Sequence, residues 1–148
     1  MQNEPTTALT TGEPPRNGRS ILAMLAGLLT IVILSIGTDR TMEAAGIFPR
    51  SGGPMSDGLF ALATAYRAFY SILGCYLAAR LAPNHAMKHA LILGGLGVIV
   101  SVMGVIATWN KPELGPHWYP IAIAVTALPC AWAGGKLRVM QARVAISG

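Results

Sequence analysis

Residues 58–79 read GLFALATAYRAFYSILGCYLAA, a run of 22 residues with a single charged side chain, Arg67. About 20 apolar residues in helical conformation match the ~30 Å hydrocarbon core of a bilayer at ~1.5 Å of rise per residue. Three further runs, 21–37, 90–109 and 118–135, hold 17, 20 and 18 residues and contain no Asp, Glu, Lys or Arg. Lipid offers no water to backbone amides, so such segments must satisfy them internally as helices. A β-barrel would show short alternating strands, whereas these runs are continuous. The reading is an all-α, integral-membrane, antiparallel four-helix bundle. Its spans are expected at about 20–37, 58–80, 89–109 and 118–135, inside one domain covering 20–138.

Composition agrees. Apolar residues make up 53% of the chain and charged residues 11%, against roughly 25% charged in a soluble domain. Four spans leave little length for anything else. Residues 1–19 are rich in Pro, Gly and Thr without apolar periodicity and read as a disordered tail; residues 139–148 form a short second tail. The net charge is +5. It sorts by side of the membrane, so nucleic acid is not an expected partner. Arg16 and Arg19 precede the first span, Arg80 and Lys88 lie in the second connection, and Lys136, Arg138 and Arg143 follow the last span. In the other two connections Arg40 and Arg50 oppose Asp39, Glu43 and Asp57, and Lys111 opposes Glu113. Excess Lys and Arg mark the cytoplasmic side, which puts both termini inside. The first span reads as an uncleaved signal anchor, because its apolar core is longer than a signal-peptide h-region and 42–46 offers a poor cleavage site. Cleavage would leave three spans.

The connections carry their own signals. Residues 41–48 contain Met42, Ala44, Ala45, Ile47 and Phe48, suited to a short helix lying on the membrane surface before Pro49 and Pro54 break it. The 81–89 link is short and turns at Pro83-Asn84, so spans two and three form a tight hairpin. Trp109, Trp118 and Tyr119 suit one interfacial belt, Tyr76 and Trp132 the other. Small residues recur at alternating spacings of four and three: Ala90, Gly94, Gly97, Ser101, Gly104 and Thr108 in span three; Pro120, Ala124, Ala127, Ala131 and Gly134 in span four. Helices in lipid associate by close van der Waals packing, which small residues permit. Spans three and four are expected to pack together; self-association through these faces is the rival reading. Pro129 removes a backbone hydrogen bond from span four and is expected to kink it.

Arg67 lies about ten residues into span two. An arginine at mid-bilayer costs ~2.5–3.5 kcal/mol on insertion scales, so it must face the bundle or snorkel. Asp57, Phe60, Thr64, Arg67, Ser71, Gly74 and Ala78 share one helical stripe, with Tyr66 and Tyr70 beside it. No carboxylate lies within an apolar run. The expected ion-pair partner is therefore Asp39 or Glu43, with Tyr and Thr hydroxyls completing the guanidinium's donors. Two readings of this polar site, Arg67, Tyr66, Tyr70, Thr64 and Ser71, stand side by side. One is a structural anchor. The other is a binding site for an anion, a lipid headgroup or a quinone-like carbonyl.

Other reactive residues support less. His85 and His89 are four apart, but no Cys, Asp or Glu is near them in sequence, so no metal site is expected. Cys75 and Cys130 sit at similar depth on a reducing side, where a structural disulfide is not expected. Haem ligation lacks histidines at matching depth, and proton-coupled export lacks an embedded carboxylate. No catalytic residue set and no cofactor are expected.

The segment Ala79-Arg80-Leu81-Ala82-Pro83 with Met87, His89-Ala90 and Leu93-Gly94 resembles a group of small, uncharacterised bacterial inner-membrane proteins with four spans. Tyr66-Arg67, the run Gly115-Pro116-His117-Trp118-Tyr119-Pro120 and the run Leu128-Pro129-Cys130-Ala131-Trp132-Ala133-Gly134-Gly135 are similar to it too. The resemblance covers spans two to four and implies architecture and a bacterial inner membrane, with no activity. The expected function is that of a non-enzymatic accessory or interaction protein whose partners are membrane lipids and either itself or another membrane protein. The alternative is a transporter or channel component holding an anion at Arg67.

Overall fold

A computed structural model describes residues 16–50, 53–111 and 114–147. These form four helices: α1 (Arg16–Ala44), α2 (Asp57–Leu81), α3 (Ala86–Thr108) and α4 (Trp118–Ser147). Every one is long and apolar enough to cross a membrane. Between 11% and 22% of the residues in the four apolar stretches are buried inside the bundle, so most of each span faces outward. Ile106 and Val125 are 72% and 68% exposed, an apolar surface that suits lipid rather than water. The chain is an all-α four-helix bundle with short connections between antiparallel neighbours.

Two helices overrun the expected spans. α1 begins at Arg16, so residues 16–19 are helical rather than part of a tail, and the rest of that expected tail, 1–15, lies outside the described residues. α1 also continues to Ala44, and no separate surface helix forms over 41–48. The Thr41 hydroxyl donates to the Gly37 carbonyl at 2.7 Å. Arg40 pairs with Glu43 at 3.3 Å. The helix then ends in a Schellman motif: Gly46, at φ +73°, donates to the Glu43 carbonyl, and Ile47 donates to Met42. The chain turns back, and Phe48 becomes buried. At the other terminus α4 runs unbroken through Pro129 to Ser147, so the expected 139–148 tail is helical to that point. Residues 136–145 hold neither Gly nor Pro, and nothing there interrupts helical hydrogen bonding.

α4 packs against both α2 and α3, α1 packs against α2, and α1 touches α3 only slightly. The bundle has two unlike ends. The link end, where residues 82–85 join α2 to α3, is closed by backbone-level contacts. A Cβ added to Gly27 would lie 2.5 Å from the Gly74 carbonyl oxygen, and one on Gly134 would lie 2.5 Å from the Ile72 carbonyl oxygen. A Cβ on Gly94 would collide with Ala131. Cys75, Ala78, Ala79, Ala90, Leu93 and Ala131 form the core cluster there. The expected small-residue seam between α3 and α4 is therefore real but partial: Gly97 stands in ordinary contact with Ala127, whereas Gly104 has nothing within 4 Å. The opposite, loop end is formed by the 45–56 and 109–117 connections.

Candidate functional site

At the loop end, polar side chains take over from close packing. Arg67 lies about 15 Å below Asp57 along α2. In a helix the Cα–Cβ bond leans toward the N-terminus, so Arg67 points up toward the loop end. Asp39 lies five residues before the end of α1, and Tyr119 is the second residue of α4. The three meet. Arg67 Nη2 stands 2.6 Å from Asp39 Oδ2, and Nη1 donates to the Tyr119 hydroxyl. The Tyr66 hydroxyl donates to the other Asp39 oxygen, Oδ1. The guanidinium carbon also lies 5.6 Å and 6.0 Å from the ring centres of Tyr119 and Tyr66, within cation–π range. Tyr70 packs on Tyr66 with ring centres 5.8 Å apart, and its hydroxyl bonds Thr38 at 2.7 Å. One arginine thus ties α1, α2 and α4 together.

Two residues of the expected site serve their own helix instead. Thr64 donates to the Phe60 carbonyl at 2.9 Å, and Ser71 to the Arg67 carbonyl at 2.8 Å. In a span, a hydroxyl finds its nearest acceptor one turn back, so neither completes the guanidinium. Glu43 pairs with Arg40 rather than Arg67. The Arg67 Nε is enclosed without an acceptor among the described residues. With Arg67 and Asp39 each about 30% exposed (30% and 27%), the pair is partly desolvated, and its two charges cancel.

Above the pair lies a cavity of about 690 Å³. Ala63 and Arg67, the deepest lining residues on α2, form its floor; Phe60 and Tyr119 line it from α2 and α4, and Phe48 with Pro49 from the 45–56 connection. The 114–117 segment roofs it. This roof depends on Gly115, whose φ is +125° and whose added Cβ would lie 2.5 Å from the Phe60 ring. Phe60 packs in turn against Tyr119 with ring centres 5.0 Å apart and planes tilted by 55°, and meets Trp118 edge-on at 6.5 Å. The Trp118 indole nitrogen reaches Asp57 at 3.4 Å. Below the floor the close-packed glycines begin, and this cavity's lining does not extend past Arg67. The space is a vestibule at the loop end.

The remaining reactive residues are occupied locally. His117 Nε2 lies 2.7 Å from the Trp109 carbonyl oxygen, and His89 Nδ1 lies 3.3 Å from the His85 carbonyl oxygen. Cys75 and Cys130 are buried free thiols. Among the described residues, no group of three His, Cys, Asp or Glu converges. Sequence reasoning placed Tyr119 in an interfacial belt and missed its second role as a partner of Arg67. It also missed the vestibule, whose walls come from three segments distant in the chain. Comparison with known families, curated proteins and solved structures finds no match.

Proposed function

We propose that this chain is a non-enzymatic multi-pass protein of a bacterial cytoplasmic membrane, serving as an accessory or interaction subunit. The link end faces the cytoplasm with both termini, because the Lys/Arg excess falls on that end. The resemblance of spans two to four to small bacterial inner-membrane proteins supports the same membrane. The observation that carries the functional reading is the commitment of Arg67. Its charge is neutralised by Asp39 at 2.6 Å, and its second terminal nitrogen is taken by Tyr119. An incoming anion would have to displace a carboxylate held from two sides. Beneath the pair, the close glycine contacts support the accessory reading over conduction. The vestibule, with its Phe48, Phe60 and Tyr119 walls, is the place where a partner's side chain or a small apolar molecule enters the fold.

The test is purification of the full chain from native membranes in mild detergent, with native mass spectrometry of what accompanies it. A stoichiometric protein partner, or a defined homo-oligomer, is expected, together with no anion flux in reconstituted vesicles. A second reading, anion transport at Arg67, rests on the vestibule's reaching that residue from one side. Chloride or phosphate flux in vesicles that disappears in Arg67→Gln would establish transport and overturn the accessory role.

A further inference from the structure

The latch leaves the vestibule rich in hydrogen-bond donors. A tyrosine hydroxyl carries one hydrogen and two lone pairs. That of Tyr119 accepts from Arg67 Nη1, and its own hydrogen has no acceptor among the described residues. Donation from a guanidinium polarises the hydroxyl and strengthens it as a donor in turn. Arg67 adds to this. A guanidinium has five N–H groups, and Asp39 and Tyr119 engage one on each terminal nitrogen, so each terminal nitrogen keeps a second hydrogen. The Nε is enclosed, but Arg67 and Tyr119 both line the cavity. The acceptors beside them are already occupied. Asp39 Oδ1 receives the Tyr66 hydroxyl and Oδ2 receives Arg67, while Glu43 faces Arg40 at 3.3 Å.

The rest of the lining sets the body of the occupant. Phe48, Phe60, Met55 and Leu114 present aromatic and apolar surface. The volume of about 690 Å³ falls within the ~300–1,000 Å³ of small-molecule sites, which join apolar walls to a few placed polar groups. Charge selects further. The Asp39 and Arg67 charges cancel, so an anion gains no net attraction and meets the carboxylates of Asp39 and Glu43, which also line the cavity. An ammonium brings more donors to a floor that already has them, and so does the amide NH₂ of a partner's Asn or Gln. The complementary group is neutral, carries a ring for the apolar walls, and ends in a carbonyl oxygen, whose two lone pairs accept from Tyr119 and Arg67 together.

We propose that the vestibule binds a neutral, ring-conjugated carbonyl compound of the quinone class, with one carbonyl oxygen on the Tyr119 hydroxyl and an Arg67 Nη hydrogen and the ring against Phe48 and Phe60. The assignment rests on the vestibule's being the entry point proposed above. Its readout is ligand binding, so a missing protein partner would sink the accessory role and leave this site standing, and failed binding would do the reverse. The experiment is isothermal titration calorimetry of the full chain in phosphatidylcholine nanodiscs, with empty discs correcting for partition. The probes are menadione, its isoprenylated form, methylnaphthalene and benzoate. Menadione is expected to bind at least tenfold more tightly than methylnaphthalene, which fits the same walls and offers no acceptor. Tyr119→Phe keeps the ring and is expected to weaken menadione about fivefold. Tyr66→Phe removes a hydroxyl of the same cluster from outside the cavity lining and should change it less than twofold. Equal affinity for menadione and methylnaphthalene would overturn the site. So would an unchanged Tyr119→Phe, or a Tyr66→Phe as damaging as Tyr119→Phe. Displacement of menadione by equimolar benzoate would overturn it as well, by assigning the cavity to an anion. Tighter binding of the isoprenylated form would support the site with the bilayer as the ligand's source, and tighter binding of menadione would support it with the aqueous phase as the source.

Discussion

Replacing Arg67 by leucine tests the latch, and the structure sets the size of the effect. The pair lies between two regimes. Exposed ion pairs contribute ~0–1 kcal/mol, whereas removing one partner of a fully buried pair costs ~3–5 kcal/mol, because the other charge is left uncompensated. At about 30% exposure for each member (30% and 27%), Arg67→Leu should cost ~2–3 kcal/mol. It leaves Asp39 with Tyr66 alone as donor and strips Tyr119 of its partner. Asp39→Leu should cost a similar amount by stranding the guanidinium. The double variant removes both charges and leaves two apolar side chains in a bundle bathed in lipid, so it should lie within ~1 kcal/mol of the wild type. The sum of the single losses should therefore exceed the double loss by ~3 kcal/mol or more, a coupling well above that of independent sites. Unfolding of the four proteins in mixed micelles of mild detergent and dodecyl sulfate measures it. A double variant as unstable as the sum of the two singles would refute the reasoning, since it would mean the charges are not each other's main compensation.

Three other perturbations follow from the same geometry. Gly115→Ala should destabilise the protein by ~1–3 kcal/mol, from a strained φ of +125° and a Cβ 2.5 Å from the Phe60 ring; adding Phe60→Leu should recover part of the loss in thermal unfolding. Gly74→Val should push α1 from α2, because even a Cβ there meets Ile31 and lies 2.6 Å from the Gly27 carbonyl oxygen; a loss of ~1–3 kcal/mol or failure to accumulate in the membrane is expected, while the same change at Gly104, with open space around it, should be tolerated. With Cys75 and Cys130 replaced by alanine, Asn84→Cys should react with impermeant maleimide only after the membrane is opened, and Asn110→Cys should react in intact cells; the reverse pattern would invert the topology.

How much of this was legible in the sequence depends on the physics behind each feature. The four spans follow from the absence of charge over hydrocarbon-length runs, which no tertiary contact has to assist. The helix ends do not, because continuing α1 through Thr38–Ala44 turns on local capping: the Thr41 hydroxyl, the Arg40–Glu43 pair and the left-handed Gly46. Each fits a turn or a helix equally well until the backbone is known. Spacing pointed to close packing of spans three and four. It gave less notice of Gly27 against Gly74, since the next glycine of each span, Gly37 or Gly58, lies ten or sixteen residues away and the contact exists only in the pair. For Arg67, the shortage of acids narrowed the partners to Asp39 and Glu43, and the fold engages Asp39, the one a turn deeper in α1. Tyr119 and the vestibule were hidden because they are made by three helices converging, and a linear sequence records no convergence.

The unlike ends of the bundle answer one physical problem. Lipid supplies no hydrophobic force between helices, since its tails are as apolar as the side chains that would pack. Helices must be held either by backbones close enough for dense dispersion contact or by polar groups that lipid cannot satisfy. The link end uses the first solution: Gly27, Gly74, Gly94 and Gly134 stand where a methyl group would not fit. The loop end carries large side chains instead, with Phe60 packed on Tyr119 and Tyr66 on Tyr70. There the Arg67–Asp39–Tyr119 set supplies attraction across the gap, and the space left between the large side chains is the vestibule. The cavity is therefore a consequence of the latch, and filling it from within should be possible only where the polar set is removed with it. Ala63, on the vestibule floor beside Arg67, gives the means: Ala63→Leu should be destabilising by ~1–3 kcal/mol alone by overpacking against the guanidinium and nearly neutral in the Arg67→Leu, Asp39→Leu background. An equal cost in both backgrounds would show that the latch and the vestibule are energetically separate.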